Sequence, residues 1–78
     1  MADQPHIVVD ARGHRCPVPT LRLRRAMEGL APGAIARLLA DDPMARVDVP
    51  HFAAEGGHEV LAMEPEGSAY AFTVRKRA

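Results

Sequence analysis

Two prolines spaced two apart, Pro17 and Pro19, stand directly behind the only cysteine of the chain, Cys16, and limit what this region can become. A proline fits the first turn of a helix, where the N–H groups lack intrahelical partners and the ring already holds a helical φ. The spacing predicts a helix that starts here, with Cys16 as its N-cap and Pro17 in the first helical position. The sulfur would then lie beside the positive end of the helix dipole, with Arg12 and Arg15 close in sequence. Both influences favour thiolate, so the thiol is expected below the free value of about 8.5. Two other readings stay open on spacing alone. A lone free cysteine also serves as a small buried hydrophobe, and Pro-x-Pro can simply start a helix.

The 78 residues suggest one domain, spanning 1–78, near the lower size limit for a single core. No internal disulfide can help, so burial by the 47% hydrophobic residues must hold the fold. One unpaired cysteine argues against an oxidising compartment. No apolar run approaches the roughly 18–20 residues of a membrane span, and the polar first residues do not read as a signal peptide. No membrane partner is expected, and the cytoplasm is the expected location. Ten basic and ten acidic residues cancel, which removes the global argument for nucleic acid. Their distribution is uneven: five arginines and no acid from Arg12 to Arg25, seven acids against Arg46 alone from Asp41 to Glu66.

Residues 1–5 read as a loose tail. Ile7-Val8-Val9 is a β-branched run that predicts a strand, followed by a turn in which Gly13 supplies a positive φ. After Cys16, the residues Leu23, Ala26, Met27 and Leu30 make one helical stripe, ended by Gly29 and Pro32-Gly33. Ile35 to Ala40 predicts a mostly buried strand, parallel to the first. Asp42 and Pro43 form a second cap-plus-proline signal, predicting a short turn and then a fresh helix near Asp48 with Pro50 in its first turn. Phe52 and Ala53 should face the core, and Gly56-Gly57 should stop the helix. Alternation in Val60/Ala62 and Tyr70/Phe72/Val74 predicts strands over 58–63 and 69–76, joined by a turn at 64–68. The expected fold is a βαβαββ α+β two-layer sandwich, a four-stranded mixed sheet with two helices on one face.

The decapeptide Asp10-Ala11-Arg12-Gly13-His14-Arg15-Cys16-Pro17-Val18-Pro19 resembles the N-terminal signature of the TusA/SirA-like sulfur-carrier family. The resemblance continues through Pro32-Gly33, Ala40-Asp41-Asp42-Pro43, Asp48-Val49-Pro50 and Gly57-His58-Glu59, and covers nearly the whole chain from Ile7. It implies the same βαβαββ fold and a persulfide carried on Cys16. It also implies a cysteine desulfurase or rhodanese-type donor and a downstream acceptor serving tRNA thiolation, cofactor assembly or sulfur oxidation. The chain would act within a relay rather than as a stand-alone catalyst. His14 departs from the apolar residue usual in the family, and is either packed as a neutral imidazole or placed near Cys16 as a proton donor. Ala53 stands where some relatives have a second cysteine, which favours a carrier over a redox switch.

Asp10 is expected to bond N–H groups of the turn before Cys16. Arg24 and Asp42 match family positions and are candidates for partner docking, against a solvated charge and a helix cap as the plainer readings. No cofactor or metal site is expected. Two rivals remain. One is an RNA-binding module, since the fold resembles the C-terminal domain of bacterial translation initiation factor three and Arg22, Arg24, Arg25, Arg75, Lys76 and Arg77 are basic. Zero net charge and only three aromatic residues weigh against direct nucleic-acid binding. The other is a thiol regulator that forms only mixed disulfides.

Overall fold

A computed structural model describes residues 5–77; the expected tail lies mostly outside them. The order is β1 (Ile7–Asp10), α1 (Val18–Glu28), β2 (Ile35–Ala40), α2 (Ala45–Gly56), β3 (Glu59–Glu66) and β4 (Ala69–Arg75). The four strands form one mixed sheet in the order β1-β2-β4-β3. β1 runs parallel to β2, and β4 is antiparallel to both of its neighbours. The expected α+β sandwich is the observed one.

Register explains which face is covered. Val9 pairs with Leu38, Leu38 with Phe72, and Ala36 with Val74, so these side chains share one face of the sheet. All of them are buried in one cluster with Leu23 and Met27 of α1 and Ala45 and Val49 of α2. Both helices therefore lie on that face. Of the stripe anticipated for α1, Leu23 and Met27 are buried together with Pro19, and Ala26 and, just past the helix, Leu30 pack partly buried against the core. Lys76, just after β4, donates from Nζ to the Met27 carbonyl at 2.8 Å, a second bond beside the one from the Leu30 N–H at 3.1 Å, and so ties the last turn of α1 to the end of the sheet.

Three boundaries differ from the sequence reading. α1 begins at Val18, with Pro17 as N-cap and Pro19 in the second helical position, so Cys16 does not cap it. The Val18 N–H turns back to the Arg15 carbonyl at 2.9 Å, and that extra turn displaces the helix start. α2 begins at Ala45 rather than near Asp48, and Pro50 lies inside it. The Pro43-Met44 turn runs straight into the helix: the N–H groups of Val47 and Asp48 both reach the Met44 carbonyl, at 3.0 and 2.8 Å. An interior proline typically costs about 3 kcal/mol. Ala45, Val49 and Ala53, four residues apart and all buried, bridge the proline on one stripe, and their packing holds the helix through it. Third, β3 continues through Pro65 to Glu66, leaving Gly67-Ser68 as the whole turn. Gly67 takes φ +61° in the first turn position, as a two-residue hairpin loop of type II′ requires. Pro65 is tolerated because β3 is an edge strand.

The end of α2 follows expectation: Gly57 is left-handed at φ 73°, and the His58 N–H reaches the Ala53 carbonyl at 2.7 Å. Gly56 has its own reason, because a Cβ there would lie 2.8 Å from the His58 ring. Among the described residues, no helix is long and apolar enough to cross a membrane.

Candidate functional site

The β1–α1 loop carrying Cys16 is built from its acids. Asp10, at the end of β1, accepts the Arg12 N–H at 3.2 Å and holds the Arg12 guanidinium through both oxygens, at 2.9 and 2.8 Å. The structural role expected for Asp10 is the one its bonds describe. The next turn closes with the His14 N–H on the Ala11 carbonyl at 3.2 Å, and Gly13 takes φ +85° in its third position. From the β2–α2 corner, Asp41 accepts the Gly13 N–H at 3.0 and 3.1 Å. Its neighbour Asp42 accepts the Cys16 N–H at 2.6 Å through one oxygen and the Met44 N–H at 2.9 Å through the other. Asp42 thus closes the turn leading into α2 and fixes the backbone of Cys16, but it is not the helix cap of its plainer reading: that position falls to Met44, two residues on, which makes no side-chain cap bond.

Cys16 is free and exposed, and the Cys16–Pro17 peptide bond is cis. Its Sγ–H donates to Asp48 Oδ2 on α2. The sulfur opens on a groove of about 290 Å³ between the helices, walled by Pro17, Thr20, Leu21, Arg24, His51 and Phe52 among others. Phe52 is half-buried, and its ring lies 5.4 Å from the His58 ring, tilted at 43°.

The electrostatics reverse the sequence expectation for the thiol. Its pKa is raised: first by the bond to Asp48, then by desolvation, then by the charges of Asp48 and Asp42. The arginines meant to lower it do not reach it. Arg12 is held by Asp10, and Arg15 lines the neighbouring hollow with Asp42, whose pKa falls mainly through the N–H bonds from Cys16 and Met44. The α1 N-terminus offers little in return, because Val18 has given its N–H to Arg15 and Pro19 has none. An exposed helix-end interaction is a small one at about 0.3–1 kcal/mol. A carboxylate in direct contact with the sulfur outweighs it.

The other anticipated residues separate. His14 and Arg15 face a different hollow, of about 510 Å³, with Gly13, Asp41, Asp42 and Pro43. No hydrogen bond joins His14 to Cys16 among the described residues, so the proton-donor reading finds no contact. Arg24 does reach the Cys16 groove and lies 4.0 Å from Glu28. Asp48 and Asp41 are the contributors that sequence reasoning missed. Asp48 stood within a matching block, Asp48-Val49-Pro50, but nothing local marked it as a partner of a residue 32 positions away.

The acids make one prediction. Salt bridge and N–H bonds hold Asp10 down to about 2, and a depressed folded-state pKa stabilises above the unfolded carboxylate value of about 3.9. That stabilisation is lost as pH falls from there toward 2. Asp10→Asn should therefore have a lower urea midpoint than the parent at pH 5. The gap should narrow by pH 2.5; a constant gap would contradict this assignment. Because the pair is exposed, the effect is small and weakens with salt.

Residues 7–76 match the family described as Sulfurtransferase TusA. The chain belongs to the TusA family. A protein of Pseudomonas paraeruginosa named Sulfur carrier protein TusA is 37% identical over 71 residues, 91% of this chain and 90% of that one. The protein of the same name from Pseudomonas putida is 36% identical over 74 residues, covering 95% and 92%. A crystal structure of a SirA-like protein from Desulfitobacterium hafniense superposes with a TM-score of 0.80 at 23% identity, covering 92% of this chain and 99% of that one, and supports the fold. The resemblance read from the Cys-Pro-Val-Pro signature is thus family membership.

Proposed function

We propose that this chain, as one domain over 1–78, is a sulfur carrier that takes sulfane sulfur as a persulfide on Cys16 and passes it to an acceptor. The observation that carries the reading is an exposed lone cysteine at the head of a groove, in a chain whose relatives are named sulfur carriers. Its surroundings suit delivery to another protein. Leu21 on the groove wall, and Met44 and Val47 ahead of Asp48, are exposed apolar side chains of the kind a partner covers. Arg24 in the groove is the candidate docking charge, and Asp42 acts by fixing the Cys16 backbone. Asp10, Gly13 and Pro19 shape the loop and helix start, Pro17 lines the groove, and Arg15 and His14 lie to one side.

The donor is a cysteine desulfurase or a rhodanese-type enzyme. The acceptor is a relay protein or an enzyme of tRNA thiolation, cofactor assembly or sulfur oxidation, and the cytoplasm is where such partners meet it. The RNA-binding rival is disfavoured by the basic residues themselves. Arg22 donates to the Asp10 carbonyl at 2.9 Å, Arg75 pairs with Glu59, and Lys76 binds the end of α1. Incubation with a sulfur donor should add one reductant-labile sulfur to the intact chain, and peptide mapping should place it on Cys16. Sulfur mapped elsewhere, or only a mixed disulfide with the donor, would count against the carrier.

A further inference from the structure

In the empty protein the Cys16 thiol donates to Asp48 Oδ2, its one side-chain partner among the described residues. Loading must change that contact. In the transfer, Cys16 loses its proton and its sulfur attacks the sulfane sulfur of a donor persulfide. The donor's S–S bond breaks as the new S–S bond forms, and the donor leaves as a thiol bearing a proton. Cys16–SH and R–S–S⁻ become Cys16–S–S⁻ and R–SH, with atoms, charge and electrons balanced. Sγ then carries no hydrogen. Its bond to Asp48 is gone, and an anionic sulfur lies close to a carboxylate that can only accept.

Resting on the carrier reading, we propose that Asp48 stabilises the empty form of Cys16 and destabilises the loaded form, biasing the carrier toward giving its sulfur away. The other charged groups of the groove leave that bias in place. His51 lies 3.4 Å from Glu55, Arg24 lies 4.0 Å from Glu28, and Glu55 and Asp42 add negative charge. The raised pKa of the thiol is the same preference, seen in proton affinity. Asp48 is suited to tuning because its side chain has no other hydrogen bond among the described residues, while its N–H is already bonded to Met44.

The test is an equilibrium. Wild type, Asp48→Asn and Asp48→Glu are each brought to equilibrium with glutathione persulfide and glutathione at pH 7.5, and the loaded-to-empty ratio is read by intact mass after quenching. Asparagine keeps the shape, removes the charge and offers an N–H to the sulfur. Its ratio should exceed wild type by about two- to fivefold, the range of one exposed charge contact. Glutamate keeps the charge and should stay near wild type. In parallel, the pH midpoint for alkylation of empty Cys16 should move to lower pH in Asp48→Asn. A ratio equal to or below wild type in Asp48→Asn, with wild type loading normally, overturns the proposal alone. Absence of sulfur on wild-type Cys16 overturns the carrier reading and this role for Asp48 with it.

Discussion

Cys16→Ser is expected to abolish sulfur loading completely while leaving the fold and its stability nearly unchanged. No second thiol exists to take over, and a serine hydroxyl is not appreciably ionised at neutral pH. The structural cost is small for three reasons. Cys16 is exposed, so no core contact is lost. Its N–H still reaches Asp42, because the backbone supplies that bond. A serine O–H can replace the S–H as donor to Asp48. The measurement is intact mass after incubation with a sulfur donor, alongside a thermal unfolding curve. Loading should vanish while Tm stays within a few degrees of the parent. A well-folded serine variant that still acquires reductant-labile sulfur would place the carrier site elsewhere.

Phe72→Ala should produce the largest loss of stability of any single truncation considered. Phe72 is fully buried on β4, opposite Leu38 on β2 and Met63 on β3, with the Tyr70 ring 6.5 Å away. Truncating a buried phenylalanine costs about 3–5 kcal/mol, from lost transfer energy and from the cavity left behind. A domain of this size holds only about 4–12 kcal/mol in total. The variant should be partly unfolded near 37 °C, with its urea midpoint sharply lowered. Phe52→Ala is the internal comparison, since that ring is only half-buried at the groove, and it should cost markedly less. Equal losses at the two positions would mean that the core is not centred on β4. Because the Cys16 N–H and Sγ–H are held by Asp42 and Asp48, and by neither phenylalanine, alkylation of the folded fraction should persist in both.

What could be read from the sequence follows how local each cause is. β2 runs from Ile35 to Ala40 as expected, because a short apolar segment between Pro32-Gly33 and Asp41 has few other options. The α1 stripe and the stop at Gly57 depend on residues three or four apart, and both were legible. The Asp10 turn depends on residues two apart, and so was it. Membership of the family was legible as well, because its signature blocks are contiguous.

The misses at Pro50 and at the thiol involve partners distant in the chain, whereas the displaced start of α1 comes from a local turn, the Val18 N–H on the Arg15 carbonyl. Pro50 looked like a helix start because its cost is local, whereas the burial of Ala45, Val49 and Ala53 that outweighs it exists only once α2 lies on the sheet. Sequence neighbours Arg12 and Arg15 predicted an acidified thiol. Folding instead ties Arg12 to Asp10, leaves Arg15 in the neighbouring hollow, and brings Asp48 from 32 residues away onto the sulfur. The sequence alone singled out the Cys16 sulfur, and the structure leaves it exposed. Only tertiary structure decided the charge beside it, because electrostatic energy depends on distance in space and not on separation along the chain.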